Sequence, residues 1–384
     1  MKILFINIPV QSHIIPTLGI IEELVKNGHK VDYINSTCFQ NLIENSGAKL
    51  IPYVYFPNAK KNIDLWMYKV SYDTAIKIGK EYDLILYEMA DFIGQVLGEH
   101  LNKPTVRICS QFAFNNYVKN KLINSNTKYI PFRKKKLARI WTKMFLSLNV
   151  RFTYNDYYDE ITNNIPKLNI VLTSKTFQYQ GDKFNNNFKF VGPIIYNRHE
   201  RYDNEIINLK SNNKQIVYVS LGSISSSIKF IKKCINAFAN KNVCVIISLG
   251  NKTKINFLEN LPQNIFLFDW VPQLEILSKA SLFISHAGMN SVNEALYFGV
   301  PLVVSPITND QYIIANRIQE LNLGTEIDMN AISSEELYTV SKETMNNQTI
   351  NENLKKMKCE MQNAGGAELA VYNIEKFYKK IVGD

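Results

Sequence analysis

Short runs of consecutive apolar residues alternate with stretches whose apolar positions recur every three or four residues, in both halves of the chain. In the first half, KILFIN from Lys2, KVDYIN from Lys30, DLILY from Asp83, PTVRI from Pro104 and NIVLTS from Asn169 read as strands. A strand covered on both faces loses its polar alternation and becomes a continuous apolar run. Amphipathic stretches at 16–27 and 89–101 lie between these runs and predict helices. In the second half QIVYVSL, VCVIISL, IFLFD, SLFIS and PLVVS repeat the scheme. Strand and helix in alternation predict an α/β protein with two doubly wound, Rossmann-like domains facing a cleft. The polar segment 197–214 reads as a linker between domains at 1–196 and 215–365. The last fifty residues read as helices, and the segment 366–384 is expected to pack back on the first domain.

Length supports this division, because 384 residues exceed one ordinary core. With 46% hydrophobic and 20% charged residues the chain is a folded globular protein. The net charge of +10 attracts anions in general, and nucleotide sugars, anionic lipid and nucleic acid all fit it. Only charge speaks for nucleic acid, with no motif behind it, so no nucleic-acid partner is expected. Cys38, Cys109, Cys234, Cys244 and Cys359 are scattered without a C-x-x-C, which argues against a zinc site or a disulfide framework and fits a cytoplasmic protein. The opening apolar run is short for a secretory signal, and no stretch approaches the length of a membrane span.

The first strand–helix turn of each half decides against a nicotinamide enzyme. The turns read NIPVQSH and SLGSISS, and neither carries G-x-G-x-x-G. Asp-x-Asp is also absent, which weighs against a metal-dependent sugar transferase, so no metal or other cofactor is expected.

The chemistry concentrates in 270–324. Strand SLFIS ends at His286, and a helix begins at about Met289–Asn290. Ligands of open parallel sheets sit beyond the carboxyl ends of strands, and a helix N-terminus there offers N–H groups and positive dipole to a diphosphate. Gly288 permits close backbone approach, and Asn290 and Ser291 add donors. Glu294 follows Asn290 by four residues and shares its helix face, where a carboxylate can meet ribose hydroxyls. Trp270 can stack on a base, with Gln273 opening the next short helix. Asp310 and Gln311 open a helix after PLVVS, where carboxylate and amide can grip adjacent sugar hydroxyls. Each residue alone has an ordinary structural explanation as a cap, a core aromatic or a solvated face. Their joint spacing carries the signal.

WVPQ, HAGMNSVNEAL and NDQ together resemble the donor signature of the family-1 UDP-glycosyltransferases of GT-B fold, with bacterial macrolide and small-molecule glycosyltransferases the nearest likeness. The opening KILFINIPVQSHIIPTLGIIEEL and the strand VYVSLGS are similar too, whereas 58–164 is only loosely so. The resemblance implies that Trp270 stacks on uracil, with Val271 and Gln273 beside it, and that His286, Gly288, Asn290 and Ser291 hold the diphosphate. It likewise implies that Glu294 holds the ribose, that Ser223 lines the phosphates, and that Asp310 and Gln311 hold the sugar, with a lean toward glucose.

Among five histidines only His13 falls in a first-half strand–helix loop at the carboxyl edge of the sheet. Pro16 is expected in the first helical turn, which places His13 at a positive helix end that favours neutral imidazole, the form a general base needs. A hydrogen-bonded loop histidine is the residue-level alternative. The resemblance assigns the catalytic base to this motif and pairs it with an Asp after a later strand. Here Glu88 stands at that place, with Asp91 three residues on as a substitute. The reaction implied is an inverting, metal-independent transfer of a sugar from a UDP-sugar to a hydroxyl of a small lipophilic acceptor such as a macrolide, flavonoid or other phenol.

Phe56, Trp66, Phe112, Phe114 and Trp141 are candidate acceptor-lining aromatics, against the ordinary reading of such residues as core. The segment 130–151 mixes basic and apolar residues and would allow weak membrane contact, or simply cover the acceptor pocket. A peripheral glycolipid synthase, suggested by this segment, and a non-catalytic UDP-sugar-binding protein, suggested by Glu88 in place of Asp, are the competing readings. The oligomeric state is open.

Overall fold

A computed structural model describes residues 1–54, 63–124, 157–196, 214–222, 227–250, 261–308 and 310–383. The candidates Phe56, Trp141 and Ser223, the segment 130–151 and nearly all of the linker at 197–213 lie outside these residues, as does the side chain of Trp66. The described chain forms two compact units. One comprises residues 1–123, 157–196 and 363–383, the other essentially the residues from 214 to 362.

The first unit runs β1 (Lys2–Ile6), α1 (Gln11–Lys26), β2 (Lys30–Asn35), α2 (Gln40–Glu44), β3 (Lys49–Pro52), α3 (Ile63–Ile78), β4 (Leu84–Glu88), α4 (Ile93–Leu101), β5 (Thr105–Cys109), α5 (Asn116–Asn124), α6 (Tyr157–Asn163), β6 (Asn169–Val171) and β7 (Phe188–Phe190). Its seven-stranded sheet has the order β3-β2-β1-β4-β5-β6-β7, and every pairing is parallel. The order reverses between β1 and β4, whose register pairs Ile6 with Tyr87. The loops that leave these two strands therefore diverge, and the space between their carboxyl ends is where doubly wound sheets bind ligands.

The second unit runs β8 (Gln215–Ser220), α7 (Ile228–Phe238), β9 (Val243–Ser248), β10 (Ile265–Phe268), α8 (Gln273–Lys279), β11 (Leu282–Ser285), α9 (Met289–Phe298), β12 (Leu302–Val304), α10 (Asp310–Glu320), β13 (Gly324–Glu326), α11 (Ser334–Asn346) and α12 (Gln348–Asn363). The sheet order β10-β9-β8-β11-β12-β13 again reverses at its centre, with Ser285 of β11 in register with Ser220 of β8. Core side chains of β8, β9 and β11 pack with Phe230, Cys234 and Phe238 of α7 and with Leu337 of α11.

The last helix, α13 (Gly366–Val382), belongs to the first unit. Its Ala370, Val371 and Ile374 are buried in the cluster that holds Ile14, Leu18 and Ile21 of α1 and Ile3 and Phe5 of β1. The Gly366 N–H donates to the Val191 carbonyl at 2.8 Å, and His29 Nε2 pairs with Glu375 Oε1 at 2.9 Å.

All ten sequence-read strands are present. β3, β7 and β13 add to them, each an edge strand of three or four residues. An edge strand has one neighbour only, and these are partly exposed, so they lack the apolar run that betrays a central strand. Two helix starts differ from expectation. α1 begins at Gln11, because extended Val10 (φ −129°, ψ 120°) offers its carbonyl to the N–H groups of His13 and Ile14. Pro16 is thus the sixth helical residue rather than part of the first turn, and His13 sits in that turn instead of a loop. α4 begins at Ile93, because residues 89–92 form a turn closed by the Asp91 N–H on the Glu88 carbonyl at 2.8 Å. Among the described residues no helix is long and apolar enough to cross a membrane.

Candidate active site

At the reversal point of the first sheet, His13 and Glu88 meet. His13 projects from the first turn of α1 and Glu88 is the last residue of β4, with His13 Nδ1 at 3.0 Å from Glu88 Oε2. The carboxylate is fully buried, whereas the imidazole side chain is 17% exposed. Glu88 also accepts from the Ala90 N–H at 2.8 Å and from the Ser110 hydroxyl at 2.7 Å. A carboxylate only accepts, so its partner Nδ1 carries a proton, and in the neutral ring the lone pair then lies on Nε2. That is the tautomer of a general base.

A polar network beneath the helix start holds it in place. Asn7 Nδ2 donates to the His13 carbonyl at 2.9 Å and to the Tyr33 hydroxyl at 2.8 Å, and Tyr33 lies 3.2 Å from Thr17 Oγ1. Tyr53 donates its hydroxyl to the Asn7 carbonyl at 3.0 Å. Burial pushes the phenols of Tyr33 and Tyr53 upward, so both remain neutral hydrogen-bonding groups.

Asp91 is placed differently from Glu88. It is 1% exposed, accepts from Ser71 Oγ at 2.9 Å, and its Oδ1 has no hydrogen-bond partner among the described residues. Desolvation pushes its carboxyl up to about 8, with the charge of Glu88 adding to the shift and the Ser71 bond opposing it. Glu88 is therefore the carboxylate that touches His13, and Asp91 is a neutral neighbour at pH 7.

The second unit gathers the other candidates at its own reversal point. His286 follows β11, and its ring is enclosed by two glycines. A Cβ on Gly222, just after β8, would come within 2.6 Å of the ring's Cε1, and one on Gly288 within 2.6 Å of Nε2. Between His286 and Gly288, buried Ala287 adopts φ +64°, a left-handed conformation that an L side chain resists. Burial lowers the His286 pKa to about 4, partly offset by the Ser220 backbone, so the ring is neutral at pH 7. Its buried Nδ1 has no hydrogen-bond partner among the described residues. Gly288 caps α9, whose first turn carries Asn290 and Ser291, both half-buried, at the end where a helix's N–H groups lack intrahelical acceptors.

Glu294, 6% exposed, lies one turn further along α9. Gln273 at the start of α8 donates Nε2 to Glu294 Oε2 and to Ser291 Oγ, the latter at 3.3 Å. Tyr218 of β8 donates its hydroxyl to Gln273 Oε1 at 3.0 Å. Sequence reasoning missed Tyr218, which reads there as one more apolar strand position. Trp270 is half-buried ahead of buried Val271. Asp310 and Gln311 are half-buried at the start of α10, where Gln311 Oε1 accepts the N–H groups of Ile307 (2.8 Å) and Thr308 (3.1 Å). Its amide N–H groups are what it can offer a ligand.

Of the acceptor candidates, Phe112 is a core residue, 1% exposed and packed against Phe177 and Tyr179. Phe114 is partly buried and stacks on Tyr158. The small apolar cluster of Ile8, Met67 and Ala90, with Val10 and Tyr68 against it, joins the loops after β1 and β4 to α3.

Two parallel sheets, each reversing where polar groups collect, make up the two domains of the GT-B fold, and solved glycosyltransferase structures share it. The crystal structure of the glycotransferase of kitacinnamycin superposes with a TM-score of 0.84 at 24% identity, covering 98% of both chains. The chain belongs to the family described as UDP-glucoronosyl and UDP-glucosyl transferase, whose model matches residues 80–375, and it is a glycosyltransferase of that class. It is similar to the NDP-glycosyltransferase YjiC of Bacillus subtilis (strain 168), 32% identical over 98% of this chain and 97% of that one. It is also similar to the oleandomycin glycosyltransferase of Streptomyces antibioticus, 24% identical over 96% and 89% respectively.

Proposed function

We propose that the protein transfers glucose from UDP-glucose to a hydroxyl of a small lipophilic natural product, with inversion and without a metal. The observation that carries this reading is the His13–Glu88 pair: a buried carboxylate that fixes an imidazole with its lone pair on Nε2. Similarity to a glycosyltransferase named for oleandomycin supports a lipophilic acceptor of the natural-product kind.

In this reaction Nε2 of His13 takes the acceptor's hydroxyl proton as its oxygen attacks the anomeric carbon. The bond from that carbon to the β-phosphate oxygen breaks, and UDP departs from the opposite face, which inverts the centre. Glu88 stabilises the imidazolium that forms, and three donors keep its carboxylate oriented. Charge developing on the departing diphosphate is met by the start of α9 and by the N–H of neutral His286, a preorganised arrangement of dipoles. Glu294 and Gln273 take the ribose, Trp270 the base, and Asp310 with Gln311 the sugar.

The test is product analysis across a panel of UDP-sugars and hydroxylated acceptors, by mass spectrometry and by NMR of the anomeric linkage. A β-glucoside formed from α-linked UDP-glucose, at an undiminished rate in excess chelator, is the expected result. An α-linked product refutes inversion, loss of activity in chelator refutes metal independence, and preference for another sugar refutes glucose.

A further inference from the structure

Tyr218 serves no step above, yet it is 1% exposed and its hydroxyl donates a hydrogen bond into the donor half of the site. Its ring is held by packing: it stacks on Phe283 of β11 with centroids 4.8 Å apart and planes within 9°. The hydroxyl is thereby aimed from the rigid centre of the sheet at Gln273 Oε1, 3.0 Å away. The other end of that amide faces Glu294 and Ser291.

We propose that Tyr218 is a positioning residue that sets the donor site's preference for ribonucleotides over deoxyribonucleotides, acting through Gln273 on Glu294. An amide has a donor end and an acceptor end, and only one orientation serves this site. With Nε2 toward Glu294 the carboxylate gains a donor; turned over, it would face the amide oxygen, and two acceptors would oppose each other. The Tyr218 hydroxyl stabilises the serviceable orientation by satisfying Oε1 and by polarising the amide so that its N–H groups donate more strongly. An ionised carboxylate has about four acceptor positions, enough to hold Gln273 and ribose hydroxyls together. Held in one rotamer, Glu294 meets both the 2′- and 3′-hydroxyls. A 2′-deoxy sugar leaves part of a buried carboxylate unsatisfied, the kind of mismatch that discriminates strongly.

This inference rests on the reading that Glu294 holds the ribose, and the experiment separates the two. UDP and 2′-deoxy-UDP binding is measured by calorimetry for the unaltered protein, Tyr218→Phe, Gln273→Ala and the double variant. Tyr218→Phe keeps the ring and its stack on Phe283, so it removes one hydroxyl from an otherwise unchanged core. The unaltered protein is expected to prefer UDP. Tyr218→Phe is expected to weaken UDP roughly fivefold while changing 2′-deoxy-UDP little. In the Gln273→Ala background the same substitution should have no further effect, because its route to Glu294 is gone. If the unaltered protein binds both nucleotides equally, the ribose assignment itself falls, and the proposal with it. If it prefers UDP and Tyr218→Phe leaves that preference intact, or weakens both nucleotides alike, the ribose assignment stands and Tyr218 is only a core residue. A Tyr218→Phe effect that persists undiminished without Gln273 likewise overturns the route proposed.

Discussion

Replacing Asp91 by Asn should stabilise the protein, and by an amount that depends on pH. In the native state the Asp91 carboxyl is pushed up to about 8 by burial, from an ordinary value of 3.8. Between those values the folded chain holds a proton that the unfolded chain has released, so wild-type stability falls as pH rises through that window. Each unit of the window costs about 1.4 kcal/mol, so moving from pH 5 to pH 7 removes about 3 kcal/mol, as an upper bound. Asn is neutral throughout, has the same shape and can keep the Ser71 hydrogen bond. The advantage of Asp91→Asn should therefore be small near pH 4 and grow steadily toward pH 8. Differential scanning calorimetry of both proteins at several pH values measures it. At about 2–4 °C per kcal/mol for a domain of this size, the gain between pH 5 and pH 7 approaches 10 °C. A difference in melting temperature that stays constant across this range would refute the burial argument. So would a variant less stable than wild type at pH 7.

Three other outcomes are expected. His13→Ala should lower kcat roughly 10²- to 10⁴-fold with UDP affinity unchanged by calorimetry, since it removes the base and leaves every proposed donor-binding residue unaltered. Glu88→Gln should retain the fold by circular dichroism but lose kcat roughly a hundredfold, because the imidazolium loses its counter-charge while KM for the donor stays put. Gly288→Ala should weaken UDP at least tenfold in a binding titration, because its Cβ would stand 2.6 Å from His286 Nε2 and displace the ring; unchanged affinity would remove His286 from the diphosphate site.

The central strands were legible because burial on both faces leaves its mark in composition, and so was the start of α9, where Gly288 precedes Met289. The edge strands β3, β7 and β13 were not, since unlike edge strand β10, with its run IFLF, these short segments carry polar residues or Gly and Pro. Within the site, the residues proposed to meet a ligand were readable from type and spacing, and residues that hold them, such as Tyr218, were not. Resemblance put Glu88 at the place of the base's partner, but the order of residues alone left Asp91 as a substitute for reaching His13. Which of them does so depends on a turn at 89–92 that directs one carboxyl toward α1 and the other toward Ser71 of α3. Tyr218 was hidden for the same reason: its partner lies 55 residues away in the chain, and only the parallel order of the sheet brings them together.

The return of α13 to the first unit has a consequence for how the chain is made. Synthesis runs from the N-terminus, and domains generally fold as they emerge. Here the unit that emerges first lacks Ala370, Val371 and Ile374 until nearly the whole chain has left the ribosome. The unit bearing β8–β13 has its own core complete before that point. The half translated first is therefore the half finished last, and it must wait with the side of α1 that meets α13 uncovered. A chimera that exchanges this unit between relatives has to carry both of its segments, or it inherits an unfinished core.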